Sequence, residues 1–148
     1  MERRVGTVLA QVARLMRRAF DERAREIGVT RPQWQVLSVL LRHEGIRQGG
    51  LAELLEVEPI TAGRMIDRMQ EAGLVERRAD PADRRAWRLY LTGRGRKIID
   101  SLQPLAVETS EAALKGVSDA ETADMLRTLD KILENLTGKS AETGSPDD

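Results

Sequence analysis

Between residues 5 and 27, Val5, Val8, Leu9, Val12, Leu15, Met16, Ala19 and Phe20 recur at steps of three and four. That period lines up one apolar stripe on an α-helix and leaves Arg14, Arg17, Arg18 and Arg25 mostly on the other faces. Gly28 ends the pattern. A second helix is predicted from Thr30, which with Gln33 makes a capping box, through Pro32 in the first turn and Trp34, Leu37, Leu40 and Leu41 to His43, with Gly45 closing it. A short helix carrying Leu51, Leu54 and Leu55 follows, broken at Val57-Glu58-Pro59. Pro59 opens the next helix, which runs to about Ala72 and is stopped by Gly73. Ile60, Gly63, Ile66 and Met69 recur on its inward face, which leaves Thr61, Arg64 and Arg68 along an outward stripe.

Two short helices joined by a tight turn form a helix-turn-helix signature. Leu74 to Ala79 and Ala86 to Thr92 then read as short strands, Trp87, Leu89 and Leu91 alternating with Arg88, Tyr90 and Thr92, around the polar turn Asp80-Pro81-Ala82-Asp83-Arg84-Arg85. A hairpin with a basic tip directly after a helix-turn-helix is a wing. Thr92 caps a fifth helix holding Ile98, Ile99, Leu102, Leu105 and Ala106, with a kink expected at Pro104. Ser118 and Glu121 form a second capping box, and Thr122, Met125, Leu126, Leu129, Ile132, Leu133 and Leu136 keep helical spacing. Residues 137 to 148 are polar and are expected to be a disordered tail. The predicted fold is mainly α with a small β-wing, a winged helix-turn-helix over about residues 30 to 97 within a single domain of residues 1 to 136.

Composition narrows the chemistry. The 148 residues suit one compact domain, and no run approaches the roughly 18 uncharged apolar residues of a membrane span. The N-terminus interrupts its apolar residues with Arg and Gln, unlike a secretory signal, so a cytoplasmic location is expected. Without cysteine there is no disulfide, thiol nucleophile or Cys-based metal site, and with His43 the only imidazole a two-His site is excluded as well. No nucleophile–base pair, Gly-rich phosphate loop or cluster of metal ligands stands out, so neither a catalytic role nor a cofactor is expected.

The net charge of zero conceals segregation: residues 1 to 32 carry +4, 33 to 57 carry −1, 58 to 97 carry +4 and 98 to 148 carry −7. A basic middle and an acidic C-terminal third suit a polyanion on one side of the molecule only. On the fourth helix, Arg64 and Arg68 have the length and donor geometry to read guanine O6 and N7, and Thr61 suits a thymine methyl or a phosphate. Pro59 and Ile60 lie at the positive end of that helix, where a phosphate is favoured. Arg84, beside Arg85 at the wing tip, is the candidate for a narrow minor groove. Asp67 would repel phosphate unless neutralised; pairing with Arg85 would make it a strut between helix and wing, and a local pair with Arg64 or Arg68 is equally compatible with the spacing.

Residues 48 to 97 resemble the winged helix-turn-helix of the multiple-antibiotic-resistance-regulator (MarR) family of bacterial transcription factors. The residues that carry the resemblance are LAELL, the IT…R…DRM…AGLVERR run, the D-x-R of Asp83-Arg84-Arg85, and Leu91-Thr92. The long first helix, the T-x-P-Q-W opening of the second and two C-terminal helices extend it to about residues 5 to 136. The resemblance implies a homodimer joined through helices at 5 to 28 and 96 to 136, binding a pseudo-palindromic double-stranded DNA operator as a transcriptional repressor. It also implies Thr61 and Arg64 on the recognition face, Arg84 at the minor-groove tip and Arg85 paired with Asp67. A small aromatic or phenolic effector is implied too, with Trp34 a candidate for its cleft or else a core residue. Gly63, Gly93 and Gly95 depart from the family pattern and lead one to expect a softer recognition helix and a frayed start to the fifth helix.

Two other binding roles fit the same basic surface. One is a winged-helix module that meets an acidic protein without reading DNA. The other is a binder of RNA or single strands, which is disfavoured because Phe20, Trp34, Trp87 and Tyr90 are the only aromatic residues and form no obvious stacking platform.

Overall fold

The computed structural model describes residues 3–138 and contains six helices and one two-stranded sheet: α1 (Val5–Glu26), α2 (Arg31–Arg42), α3 (Gln48–Leu55), α4 (Pro59–Glu71), β1 (Val75–Ala79), β2 (Trp87–Leu91), α5 (Gly93–Ala113) and α6 (Asp119–Thr137). The chain forms two compact units that divide between Ala113 and Leu114. Each predicted helix and strand is present, with ends shifted by a residue or two. The expected tail lies, from residue 139, outside the described residues; Thr137 still belongs to α6 and Gly138 caps it.

Both capping boxes form. Thr30 Oγ1 accepts from the Gln33 N–H while Gln33 Oε1 accepts from the Thr30 N–H, and Ser118 and Glu121 do the same for α6. The α3–α4 turn is made by Glu56 in the left-handed conformation at φ 55°, followed by Pro59 in the first turn of α4. In the first unit, one core collects Val36, Leu37 and Leu40 of α2, Leu51 of α3, Ile66 and Met69 of α4, Val75, Leu89 and Leu91 of the sheet, and Ile99 and Leu102 of α5. Ile60 is not on this inward face: it is 72% exposed, and Ala62 fills the buried position instead. Trp87 is likewise turned to solvent beyond the buried Leu89 and Leu91.

β1 and β2 pair antiparallel, Val75 opposite Leu91 and Ala79 opposite Trp87. A third segment joins this sheet without forming a strand. Gly45 N–H donates to the Leu89 carbonyl at 2.8 Å and Leu89 N–H to the Ile46 carbonyl at 2.9 Å, with a bridge between Arg47 and Arg88. The loop after α2 therefore clamps the far edge of the wing.

Two of the three glycines expected to soften the fold, Gly63 and Gly95, instead permit close approaches. A methyl group at Gly95 would collide with the Leu74 carbonyl oxygen, so the first turn of α5 passes against the start of β1 only because no side chain is there. Thr92 secures the same turn: its hydroxyl accepts from the Gly95 N–H at 3.0 Å and donates to the Gly73 carbonyl at 2.6 Å. Gly63 lets Gln48 approach, since a Cβ there would stand 3.1 Å from Gln48 Nε2. The two glycines of α5 accordingly differ, because Gly93 has open space around its absent side chain. Gly95→Ala is expected to lower unfolding stability by about 1–3 kcal/mol through overpacking, whereas Gly93→Ala raises it by up to about 0.5–1 kcal/mol, both read from urea unfolding midpoints.

Candidate nucleic-acid interface

Helix α4 buries Ala62, Ile66 and Met69 and turns Pro59, Ile60, Thr61, Arg64 and Arg68 to solvent. At helical spacing Thr61, Arg64 and Arg68 form one outward row, and Ile60, Arg64 and Arg68 an adjacent one. The wing tip adds exposed Arg84 and Arg85. Their turn is built from Asp83, whose carboxylate accepts from the Arg85 N–H at 3.0 Å and whose carbonyl accepts from the Ala86 N–H at 3.1 Å.

The strut between helix and wing is not Asp67–Arg85. Asp67 Oδ1 lies 2.7 Å from Arg77 Nη1, so the partner comes from the middle of β1 and not from the tip. Arg77 sits opposite Leu89, on the face of the hairpin that looks toward the helices, whereas the backbone turn at Asp83 leaves the Arg85 side chain exposed. The Arg77 guanidinium makes four hydrogen bonds besides that ion pair. Nε and Nη2 each donate to Gln48 Oε1 at 3.3 Å, Nη2 also to the Gly63 carbonyl at 3.1 Å, and Nη1 to Gln70 Oε1 at 3.0 Å. One guanidinium thus ties α3, α4 and β1 together.

A second knot holds the other edge of the wing. Asp80, 2% exposed, takes Arg47 Nε at 2.9 Å and Arg88 Nε at 3.0 Å on one carboxylate oxygen and the Ala82 N–H at 2.9 Å on the other. The Ala82 hydrogen bond, opposed by burial and reinforced by the two arginines, holds the Asp80 carboxyl below the ordinary carboxylate range. Arg88 also donates to the Gly45 carbonyl at 3.2 Å, which joins the knot to the loop after α2.

Arg47, Gln48, Gln70, Arg77, Asp80 and Arg88 were not singled out by sequence reasoning. Period-two alternation gave one usable signal: Val75, Arg77 and Ala79 share a face, so Arg77 is a charge on the helix-facing side of the hairpin and needs a partner there.

Trp34 serves packing and lines a cleft at the same time. Its indole N–H donates to Asp21 Oδ1 at 2.7 Å, and its ring meets Phe20 edge-on with centroids 5.0 Å apart. Arg31 pairs with the other oxygen of Asp21. Burial alone pushes the Asp21 carboxyl up, but the hydrogen bonds from Arg31 and Trp34 and the charges of Arg31 and Arg25 outweigh it and bring it below the ordinary range. Beside this cluster α1, α2 and α5 enclose an apolar cleft of about 360 Å³, lined by Phe20, Trp34, Leu37, Leu41, Ile99 and Leu102 among others and reached by Arg17, Ser38 and Gln103. Among the described residues no group of His, Cys, Asp and Glu is arranged to hold a metal ion, and no helix is long and apolar enough to cross a membrane.

A helix opened by Pro59 with an outward polar row, braced against a two-stranded hairpin that projects beside it, defines a winged helix-turn-helix protein. The sequence pattern of the MarR family matches residues 27–86. The solved transcriptional regulator PA3341 is 34% identical and superimposes with a TM-score of 0.80 over 92% of this chain and 100% of its own. Apo wild-type MarR from E. coli is 25% identical, with a TM-score of 0.81 over 90% of this chain and 99% of its own. A mutant MarR from E. coli complexed with operator DNA is 26% identical, with a TM-score of 0.75 over 87% of this chain and 93% of its own. The chain belongs to the MarR family, whose members are transcription regulators.

The Asp80 knot gives a pH test. Because the folded-state pKa is depressed, its contribution to stability is complete above the unfolded value of about 3.9 and is lost as pH falls through the folded value. Asp80→Asn is expected to lower the urea midpoint at neutral pH, and the gap between wild type and variant is expected to stay constant down to about pH 5 and to close below about pH 4.

Proposed function

We propose that the chain is a sequence-specific, double-stranded DNA-binding transcriptional regulator that acts as a homodimeric repressor on a pseudo-palindromic operator. The observation that carries this reading is the split of α4, with Ala62, Ile66 and Met69 in the core and Thr61, Arg64 and Arg68 exposed beside the exposed Arg84 and Arg85 of the wing. Arg64 and Arg68 read guanine edges in the major groove, Thr61 meets a thymine methyl or phosphate, and Pro59 and Ile60 border the strand at the helix N-terminus. Arg84 enters the adjacent minor groove, with Arg85 beside it. The likeness to a MarR bound to operator DNA supports the same assignment.

Two apolar stripes support the homodimer. Val5, Leu9, Val12, Leu15 and Met16 of α1 are exposed, as are Met125, Leu126, Leu133 and Leu136 of α6, which buries no residue at all. An amphipathic helix whose Met125, Leu126, Leu133 and Leu136 stay exposed is explained by a partner surface. In this reading residues 1–136 act as one MarR-type unit, with the winged part at about 30–97 and dimerising helices at 5–28 and 96–136, working in the cytoplasm. The cleft beside Trp34 has the size and the apolar lining to take a small aromatic or phenolic effector whose binding releases the operator.

The test is fluorescence anisotropy of the purified protein on a duplex it enriches from a randomised library and on a scrambled duplex, across a salt series. Binding by two protomers at least about a thousandfold tighter on the enriched duplex is expected. Arg64→Ala is expected to cost about 1–3 kcal/mol on that duplex and little on the scrambled one. Arg84→Ala lowers affinity on both and flattens the salt dependence. Equal, weak binding to both duplexes with an unchanged salt slope for each variant would reject sequence reading and favour an acidic protein partner.

A further inference from the structure

Between α3, α4 and the inner face of the hairpin lies an open notch of about 420 Å³, lined by Gln48, Gln70, Arg77 and Trp87. Its hydrogen-bonding character is one-sided. Arg77 can only donate, so Gln48 and Gln70 turn their amide oxygens to it, and both amide nitrogens are left as donors. Trp87 Nε1 can also only donate, and its side chain is 48% exposed where the aligned Leu89 and Leu91 are buried. Among the described residues nothing accepts a hydrogen bond from Trp87 Nε1, Gln48 Nε2 or Gln70 Nε2. Asp67, which pairs with the Arg77 guanidinium at 2.7 Å, is not among the lining residues. A lining with three vacant N–H donors and a guanidinium floor suits a group that only accepts, and among such groups an anionic oxygen bonds most strongly.

We propose that the notch receives one phosphodiester oxygen of DNA, on the strand that crosses from the major groove read by α4 to the minor groove met by the wing, with Trp87, Gln48 and Gln70 as its donors. This rests on the duplex-DNA reading above. The occupant follows from position, since a strand running between the recognition helix and the wing must cross the gap that separates them, and the notch is in that gap. The contact is neutral on the protein side, so it fixes the register of the hairpin on the backbone without displacing additional counterions. It also gives Trp87 a role that an inward-facing position on β2 does not explain.

The experiment uses the enriched duplex with single phosphates replaced by uncharged methylphosphonates. Wild-type protein is expected to lose about tenfold in affinity at one linkage in each half-site. Trp87→Phe keeps the ring and removes the donor. It is expected to bind unmodified and scrambled duplexes about tenfold more weakly, with the salt slope and base preference of wild type, and to lose less than wild type at that linkage, where Gln48 and Gln70 still donate. Gln70→Glu preserves the acceptor for Arg77 and replaces the donor with a charge that repels phosphate, so a larger loss with an unchanged melting temperature is expected. Wild-type affinity for Trp87→Phe, or an undiminished methylphosphonate penalty in it at every linkage, overturns the proposal. So does quenching of tryptophan emission by millimolar inorganic phosphate that Trp87→Phe abolishes while duplex binding is unaffected, which assigns the notch to a free anion. If the library yields no enriched duplex, the DNA-binding reading falls and this proposal with it; tight binding without a Trp87-dependent linkage removes this proposal alone.

Discussion

The position of the wing relative to the recognition helix depends on one side chain. Arg77 is planar, permanently charged and largely withdrawn from solvent, so its guanidinium needs acceptors and a counter-charge within the protein. Gln48, Gly63, Asp67 and Gln70 supply them, and in doing so they bring α3, α4 and β1 to fixed distances. A lysine would supply a point charge with no fork, and could not span two amides, a carboxylate and a helix carbonyl. Gly63 belongs to the same constraint, because its carbonyl is one of the acceptors and its missing side chain is what admits Gln48. The outward row of α4 and the tip of the hairpin consequently form one surface.

The Asp80 knot works on the opposite edge by the reverse arrangement, one carboxylate shared between two arginines and a backbone N–H. Its partners come from the loop after α2 and from β2, so the hairpin is held at its inner face by a buried cation and at its outer edge by a buried anion. Asp21 repeats the arrangement at the junction of α1 and α2, with Arg31 and the Trp34 indole. In each case breaking one partner leaves a buried charge unpaired, which costs more than the intact pair contributes to stability. These clusters select one geometry more than they add to the stability that the apolar core already provides.

The elements of the fold were legible because their signals are local. Capping boxes at Thr30 and Ser118, Pro59 in the first turn of α4 and the alternation in β2 each depend on a few neighbouring residues. The outward row of α4 followed from the same helical period, and Thr61, Arg64 and Arg68 are exposed. What was not legible depends on pairs distant in sequence. Asp67 had several arginines within reach of a plausible strut, and only the register that sets Arg77 opposite Leu89 selects among them. Asp80 read as a turn residue because its partners Arg47 and Arg88 lie on either side of the helix-turn-helix. Gly95 read as a weakness because propensity describes an isolated helix, whereas its value comes from the Leu74 carbonyl against which it packs. Ile60 was assigned both to the inward row and to the DNA side, and exposure settles it on the outward side.

These constraints also bear on how an effector would act. The cleft beside Trp34 belongs to α1, α2 and α5, while the outward row belongs to α4 and the wing, and the two regions share the core around Leu37, Leu40 and Leu102. Arg77 and Asp80 brace the helix–wing unit on both sides of the hairpin, so displacing the wing from α4 breaks several polar contacts at once. Melting α4 would take Gly63, Asp67 and Gln70 away from the guanidinium of Arg77, a cost that a small apolar ligand does not offset. Differential binding between two arrangements of rigid pieces is the remaining way for such a ligand to shift an equilibrium. In the proposed homodimer the variable is therefore the separation of two intact winged units. Two half-sites about one helical turn apart would be sensitive to that separation, so an effector that favoured a different arrangement of α1 and α5 would take both α4 helices out of register at once.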